Sequence, residues 1–157
     1  MPAFEHRGVF LFETSAIVRY VDEAFSGPAL QPKEPAPRAR MDQWISAHNC
    51  YLYPHLMRGY ALAYILPKLR GEEPDRAAIE RGVPDMKNDL LILDQAYTKN
   101  AWIVGDQITL ADLFIGPVLA TLSLFPEAQA VLDSCSNLRR VNKAIGERDA
   151  YKSAQPG

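Results

Sequence analysis

Cysteine is scarce in this chain: Cys50 and Cys135 are the only two in 157 residues. They fall in separate predicted helices without metal-type spacing, which argues against a disulfide framework or a zinc site, so each is expected to pack as a free thiol. No apolar run approaches the roughly 20 residues of a membrane span, and no charged segment followed by a signal-type apolar core opens the chain. A cytoplasmic protein is the expectation. Excess charge of either sign is also missing: 17 Lys and Arg oppose 19 Asp and Glu, for a net charge of −2. Neither nucleic acid nor an anionic membrane would find a basic face. Internal repeats and low-complexity tracts are absent as well. What remains, 48% hydrophobic and 23% charged residues, suffices for a buried core in one main domain plus a fragment.

Strand signals are confined to the start. Ala3 to His6 alternates, Arg7-Gly8 forms a tight turn, Val9 to Phe12 is apolar, and Glu13-Thr14-Ser15 opens a helix running to Phe25. Ile17, Tyr20, Val21 and Ala24 form the stripe expected to cover the hairpin, because two strands alone are marginal in water. Four prolines between Phe25 and Arg38 forbid a regular helix there and predict an extended connector over 26–38.

After the connector the periodicity is helical. Met41, Trp44, Ile45, His48, Leu52, His55, Leu56, Tyr60 and Tyr64 predict a long helix from Ala39 to about Leu66, kinked at Pro54 and ended by Pro67. Ile79, Val83, Met86, Leu90, Leu93 and Tyr97 predict another from Asp75 to Thr98, weakened by Gly82 and Pro84. Thr109 and Asp112 are spaced as a capping box, and Ile108 and Leu113 as its hydrophobic staple, ahead of a helix apolar nearly all round. Pro126 suits the first turn of the next helix, Ser136 the cap of a last one with Leu138, Val141 and Ile145, and the polar tail from Asp149 is expected to drape over the surface.

Pro2, the two strands about Gly8, Glu13-Thr14 and Ala16-Ile17-Val18-Arg19-Tyr20 resemble the end of the glutathione-binding, thioredoxin-like domain of cytosolic glutathione S-transferases. Trp102 to Gly105-Asp106, then Thr109-Leu110-Ala111-Asp112, resembles the capped central helix of that family's helical domain. The resemblance implies a mainly α fold: a glutathione S-transferase C-terminal-like helical bundle preceded by a β-hairpin and helix left from a truncated thioredoxin-like domain. It divides the chain into a partial glutathione-binding domain (1–25), a linker (26–38) and the all-helical domain (39–157).

The resemblance further implies that Glu13 and Thr14 bind the γ-glutamyl end of glutathione, the carboxylate pairing with ammonium and the hydroxyl and helix N–H groups receiving carboxylate. On the residues alone, Glu13, Thr14 and Ser15 read rather as an N-terminal cap and a dipole-complementing acid. Pro2 corresponds to the family's cis-proline, though here a trans bond or a disordered Pro2 is expected because no upstream strand would hold the disfavoured form. His48, Tyr51, Pro54, His55 and Arg58 would line the pocket for a hydrophobic electrophile, or else pack between helices. Phe114 and Pro117 are assigned to core and helix kink.

The family's thiol-activating Tyr, Ser or Cys belongs to a first strand that would lie upstream of Met1, so no catalytic residue is carried over. Cys50 has no electropositive niche in the sequence, and Glu5 and His6 point to opposite strand faces. Two functions follow: a truncated transferase with little or no activity whose parent conjugates glutathione to hydrophobic electrophiles, or a non-catalytic binding or assembly module. A homodimer or larger assembly, formed by pairing exposed hairpin strands or by swapping the segment before the linker, is expected in the first case.

Overall fold

The computed structural model describes residues 2–154. The expected Met1–Pro2 bond geometry lies outside the described residues. Strands β1 (Ala3–His6) and β2 (Val9–Phe12) pair antiparallel, Phe4 opposite Leu11 and His6 opposite Val9. The turn between them uses Arg7 at φ 53° and Gly8 at φ 81°, the left-handed pair that a two-residue hairpin requires. Glu5 steadies it by accepting the Gly8 N–H at 2.9 Å.

Helix α1 (Thr14–Ala24) follows and lays Tyr20 on the hairpin. Phe4, His6, Tyr20 and Phe25 form an aromatic cluster in which the Tyr20 hydroxyl lies 3.0 Å from His6 Nδ1. The expected stripe needs correction at two positions. Val21 and Ala24 are exposed, while Val18 packs against the helical core, because α1 lies between two partners rather than on one. Opposite this cluster, Phe10 and Phe12 are exposed.

The connector holds the first elements to the rest. Asp22 accepts the Leu30 N–H at 2.8 Å and the side-chain amide of buried Gln31 at 3.0 Å, and the Leu30 carbonyl accepts the Leu110 N–H at 3.1 Å. Arg19 adds an ion pair to Asp42 at 2.6 Å. The connector is also shorter than its prolines suggested. Helix α2 (Pro35–Ala47) starts inside it, with Pro35 in the first turn, where the missing N–H costs nothing.

The long helix is continuous from α2 to α3 (Leu62–Leu69), but its middle, His48–Leu52 and Pro54–Ala61, is wound as π-helix. Pro54 loosens the winding where a kink was expected: the Tyr53 N–H reaches back five residues to His48 O. Pro67 does not end the helix either; α3 continues two residues past it, and the Glu72 N–H returns to Pro67 O at 2.9 Å.

Helix α4 (Arg76–Ala96) is capped by Asp75, which accepts the Ala78 N–H at 3.0 Å, and runs unbroken through Gly82 and Pro84. Helix α5 (Leu110–Leu122) is the centre of the bundle, burying Leu110, Ala111, Ile115, Val118, Leu119 and Leu122. Around it stand α6 (Pro126–Ser134), with Pro126 in its first turn as expected, α7 (Ser136–Gly146) and a short α8 (Asp149–Ser153) that lays Tyr151 on the core. The tail is thus partly helical rather than draped.

Ser136 does not cap α7. Asp94, on α4, does so from across the bundle, accepting the N–H groups of Asn137 at 2.9 Å and Leu138 at 3.0 Å. Arg140 returns the tie, donating to the carbonyls of Tyr97 at 3.1 Å and Ala101 at 2.6 Å beyond the end of α4. No described helix is long and apolar enough to cross a membrane.

Candidate functional site

The start of α1 faces the π-wound stretch and α5 across a cleft of about 810 Å³. Pro2, Glu13, Thr14 and Ser15 form one wall; His48, Asn49, Tyr53 and Arg58 form a second; Leu113, Phe114, Pro117 and Val118 form an apolar third. The sequence expectations for Pro2, Glu13, Thr14, His48 and Arg58 therefore converge on one space.

Glu13 holds φ 68° and ψ 120°, backbone that costs a non-glycine residue about 1–3 kcal/mol and recurs where structure serves binding. Its carbonyl accepts the N–H groups of Ala16 and Ile17 at 3.0 Å each, but its side chain makes no cap hydrogen bond. The simple capping reading of Glu13 thus loses its support. The exposed carboxylate stands beside the first-turn N–H groups of Thr14 and Ser15, which a helix leaves without intrahelical partners. One wall offers a negative group for a cation and, next to it, donors for an anion.

Tyr51 and His55 are outside the cleft. Tyr51 is exposed, and His55 Nδ1 lies 2.9 Å from Asp89 Oδ2 on α4, joining two helices. The physical reason is the winding. Ordinary helical spacing from His48 selects residues three and four apart, whereas π-helical turns put His48, Tyr53 and Arg58, five apart, on one side. Pro54, the first residue of the second π-helical segment, is the one sequence signal of that change. Phe114 and Pro117, assigned to core and kink, both line the cleft; a helix apolar all round does not declare which side is open.

His48 is buried between the rings of Phe114, 5.4 Å away, and Tyr53, 5.8 Å away. Burial lowers its pKa from the ordinary 6.5, outweighing the opposing hydrogen bond with Asn49. The unfolded chain therefore takes up this proton more readily. Stability is full above the unfolded value and is lost as the pH falls through the folded one. Denaturation midpoints are expected to fall on acidification below pH 6.5, and the fall should be smaller in His48→Phe; identical pH profiles for the two proteins would refute the assignment. Arg58 extends over the Tyr53 ring, 5.9 Å from its centre, keeping a positive charge at the rim.

The capping box lies at the start of α5. Asp112 is fully buried; its Oδ2 accepts the Thr109 N–H at 2.8 Å and hydroxyl at 2.9 Å, and its Oδ1 the Tyr97 hydroxyl and Ile103 N–H at 3.0 Å each. The reciprocal Thr109–Asp112 pair is in place. Burial and the adjacent carboxylate push the Tyr97 pKa up, so that its phenol remains a donor. Of the staple pair, Leu113 lines the cleft and Ile108 is half-buried outside it. Among the described residues no three His, Cys, Asp or Glu side chains converge as a metal ion would need.

The glutathione S-transferase C-terminal domain model matches residues 52–149, and the N-terminal domain model matches residues 1–23. A glutathione S-transferase of Arabidopsis thaliana is 29% identical over 154 residues, covering 97% of this chain and 72% of that protein. Elongation factor 1-gamma-A of Xenopus laevis is 32% identical over 118 residues, covering 73% of this chain and 24% of its own. The solved structure of glutathione S-transferase III in apo form superposes with a TM-score of 0.86 at 25% identity, over 100% of this chain and 74% of that one. With the cleft lying between the segments that the two domain models match, and the helical-domain model alone spanning more than half its length, the chain belongs to the glutathione S-transferase family.

Proposed function

We propose that the cleft holds glutathione by its γ-glutamyl end at Glu13 and Thr14, with a hydrophobic electrophile against Phe114, Pro117 and Val118, and that the activity served is conjugation of the two. The observation that carries this reading is the uncapped Glu13 carboxylate beside free helix donors, across the same cleft from an apolar wall. Residues 1–25 supply the glutathione half, 26–38 the connection and 39–157 the electrophile half. The protein acts in the cytoplasm as a homodimer, the exposed Phe10 and Phe12 face of the hairpin being one surface for pairing.

In the family the sulfur is polarised by a residue of the first strand of the thioredoxin-like domain, and the strands among the described residues are β1 and β2 alone. These 157 residues are therefore proposed to hold glutathione with little or no turnover. The second reading, a binding or assembly module without catalysis, is favoured by the relative named as an elongation factor.

Retention on glutathione-agarose with a parallel aryl halide assay separates these readings. Retention without turnover is expected; turnover would place a sulfur-activating group within these residues and contradict the proposal, and no retention would favour the assembly module. Glu13→Gln should weaken retention about tenfold, the usual worth of a charge-assisted hydrogen bond, while leaving the thermal midpoint in place, since the side chain caps nothing. Equal retention by both proteins would remove Glu13 from the site.

A further inference from the structure

The wall opposite Glu13 carries an unsatisfied polar atom. His48 is 6% exposed, and its Nε2 is buried without a hydrogen-bond partner. The other ring nitrogen is engaged: Nδ1 lies 3.1 Å from Asn49 Oδ1, an amide oxygen that can only accept. The proton of the neutral ring is thus on Nδ1, and Nε2 presents a bare lone pair. Such an acceptor destabilises an empty site and is relieved by a donor brought to it.

We propose that His48 Nε2 is the point of polar selectivity in the cleft, accepting a hydrogen bond from an O–H or N–H group on an otherwise apolar aromatic co-substrate. The surroundings suit that chemistry. The rings of Phe114 and Tyr53 flank His48 and offer faces and edges to an aromatic guest. Leu113, Pro117 and Val118 continue the apolar lining. Contact with the buried Nε2 requires a flanking ring to give way, and Tyr53, 38% exposed, is the less enclosed of the two. A guest bearing only acceptors would leave the nitrogen unpaired and bind less well, the asymmetry by which a built polar point discriminates between near-isosteres.

The inference rests on the reading of this cleft as the co-substrate site, and its test separates the two. Fluorescence titration of the full chain with naphthol and with its methyl ether compares guests alike except for the donor. The unsubstituted protein should bind naphthol about tenfold tighter; His48→Phe should abolish the preference, and His48→Gln, which returns an acceptor, should restore part of it. In nitrogen NMR of the unsubstituted protein, naphthol should shift the His48 Nε2 resonance and the ether should not, a readout independent of whether the variants fold. Equal binding of the two guests, no binding of either, or a preference that survives in His48→Phe overturns the proposal. S-hexylglutathione is the second arm: if it fails to displace naphthol while the preference stands, the glutathione reading falls alone, and if it displaces naphthol without any preference, only the role of His48 falls.

Discussion

Asp112→Ala is expected to destabilise the protein by about 3–5 kcal/mol, well beyond the ~0.5–2 kcal/mol of a surface helix cap. As a capping residue alone Asp112 would answer to Thr109. In the fold it is fully buried and satisfies four donors: the Thr109 N–H and hydroxyl, the Ile103 N–H and the Tyr97 hydroxyl. Alanine leaves all four without a partner, and each stranded group costs about 1–3 kcal/mol before relaxation or entering water. Against a total stability of about 5–15 kcal/mol, the loss should lower the melting midpoint by roughly 10 °C or more. Asp112→Asn should fall between, since its oxygen still accepts while its amide hydrogens meet other donors. Calorimetry of the three proteins decides it; a loss within the range of an exposed cap would mean that the Tyr97 and Ile103 bonds contribute nothing.

The second large effect runs against helix propensity. Gly82→Ala in the middle of α4 should help an isolated helix by about 1 kcal/mol. Here a Cβ at Gly82 would collide with the carbonyl oxygen of Gly59 and stand 2.9 Å from its carbonyl carbon and 3.2 Å from the Tyr60 Cα. All three are backbone atoms of the π-wound helix, so no side chain can turn away. The two helices must separate, and the expected result is a net loss of ~1–3 kcal/mol, as for overpacking elsewhere. Gly146→Ala is the control, with nothing near its added carbon; its midpoint should stay or rise. Stabilisation by Gly82→Ala would show that α4 and the π-helical turns do not pack this closely.

These residues mark where local signals stop. The hairpin could be read from the chain because its turn and alternation are properties of neighbouring residues, and the Thr109–Asp112 box because a cap is complete within one turn. Gly82 looked like a weakness in a helix; its purpose is set by Gly59, on another element. Ser136 looked like a cap, yet Asp94 of α4 reaches α7 first, and no pattern near residue 136 encodes a partner so distant in sequence. Prolines 35, 54 and 67 signal breaks in the sequence, but at a first turn, at a change of winding and near a helix end each is accommodated.

The cleft shows the same division. Glu13 and Thr14 were legible because a helix start is a local event. The opposite wall was half legible: His48 and Arg58 belong to it, but Tyr51 and His55 gave way to Asn49 and Tyr53 once the helix wound five residues to a bond. Phe114 and Pro117 fit core and kink in the sequence because nearly every side of α5 is apolar, and which side lines the cleft is set by elements distant in the chain.

The proposed function requires a cleft that grips glutathione without acidifying it. Its most direct test follows the thiolate absorbance of glutathione bound to this chain as the pH is raised. The thiol should titrate where free glutathione does; a bound thiol ionising at markedly lower pH would place a sulfur-activating group within these residues and contradict the account.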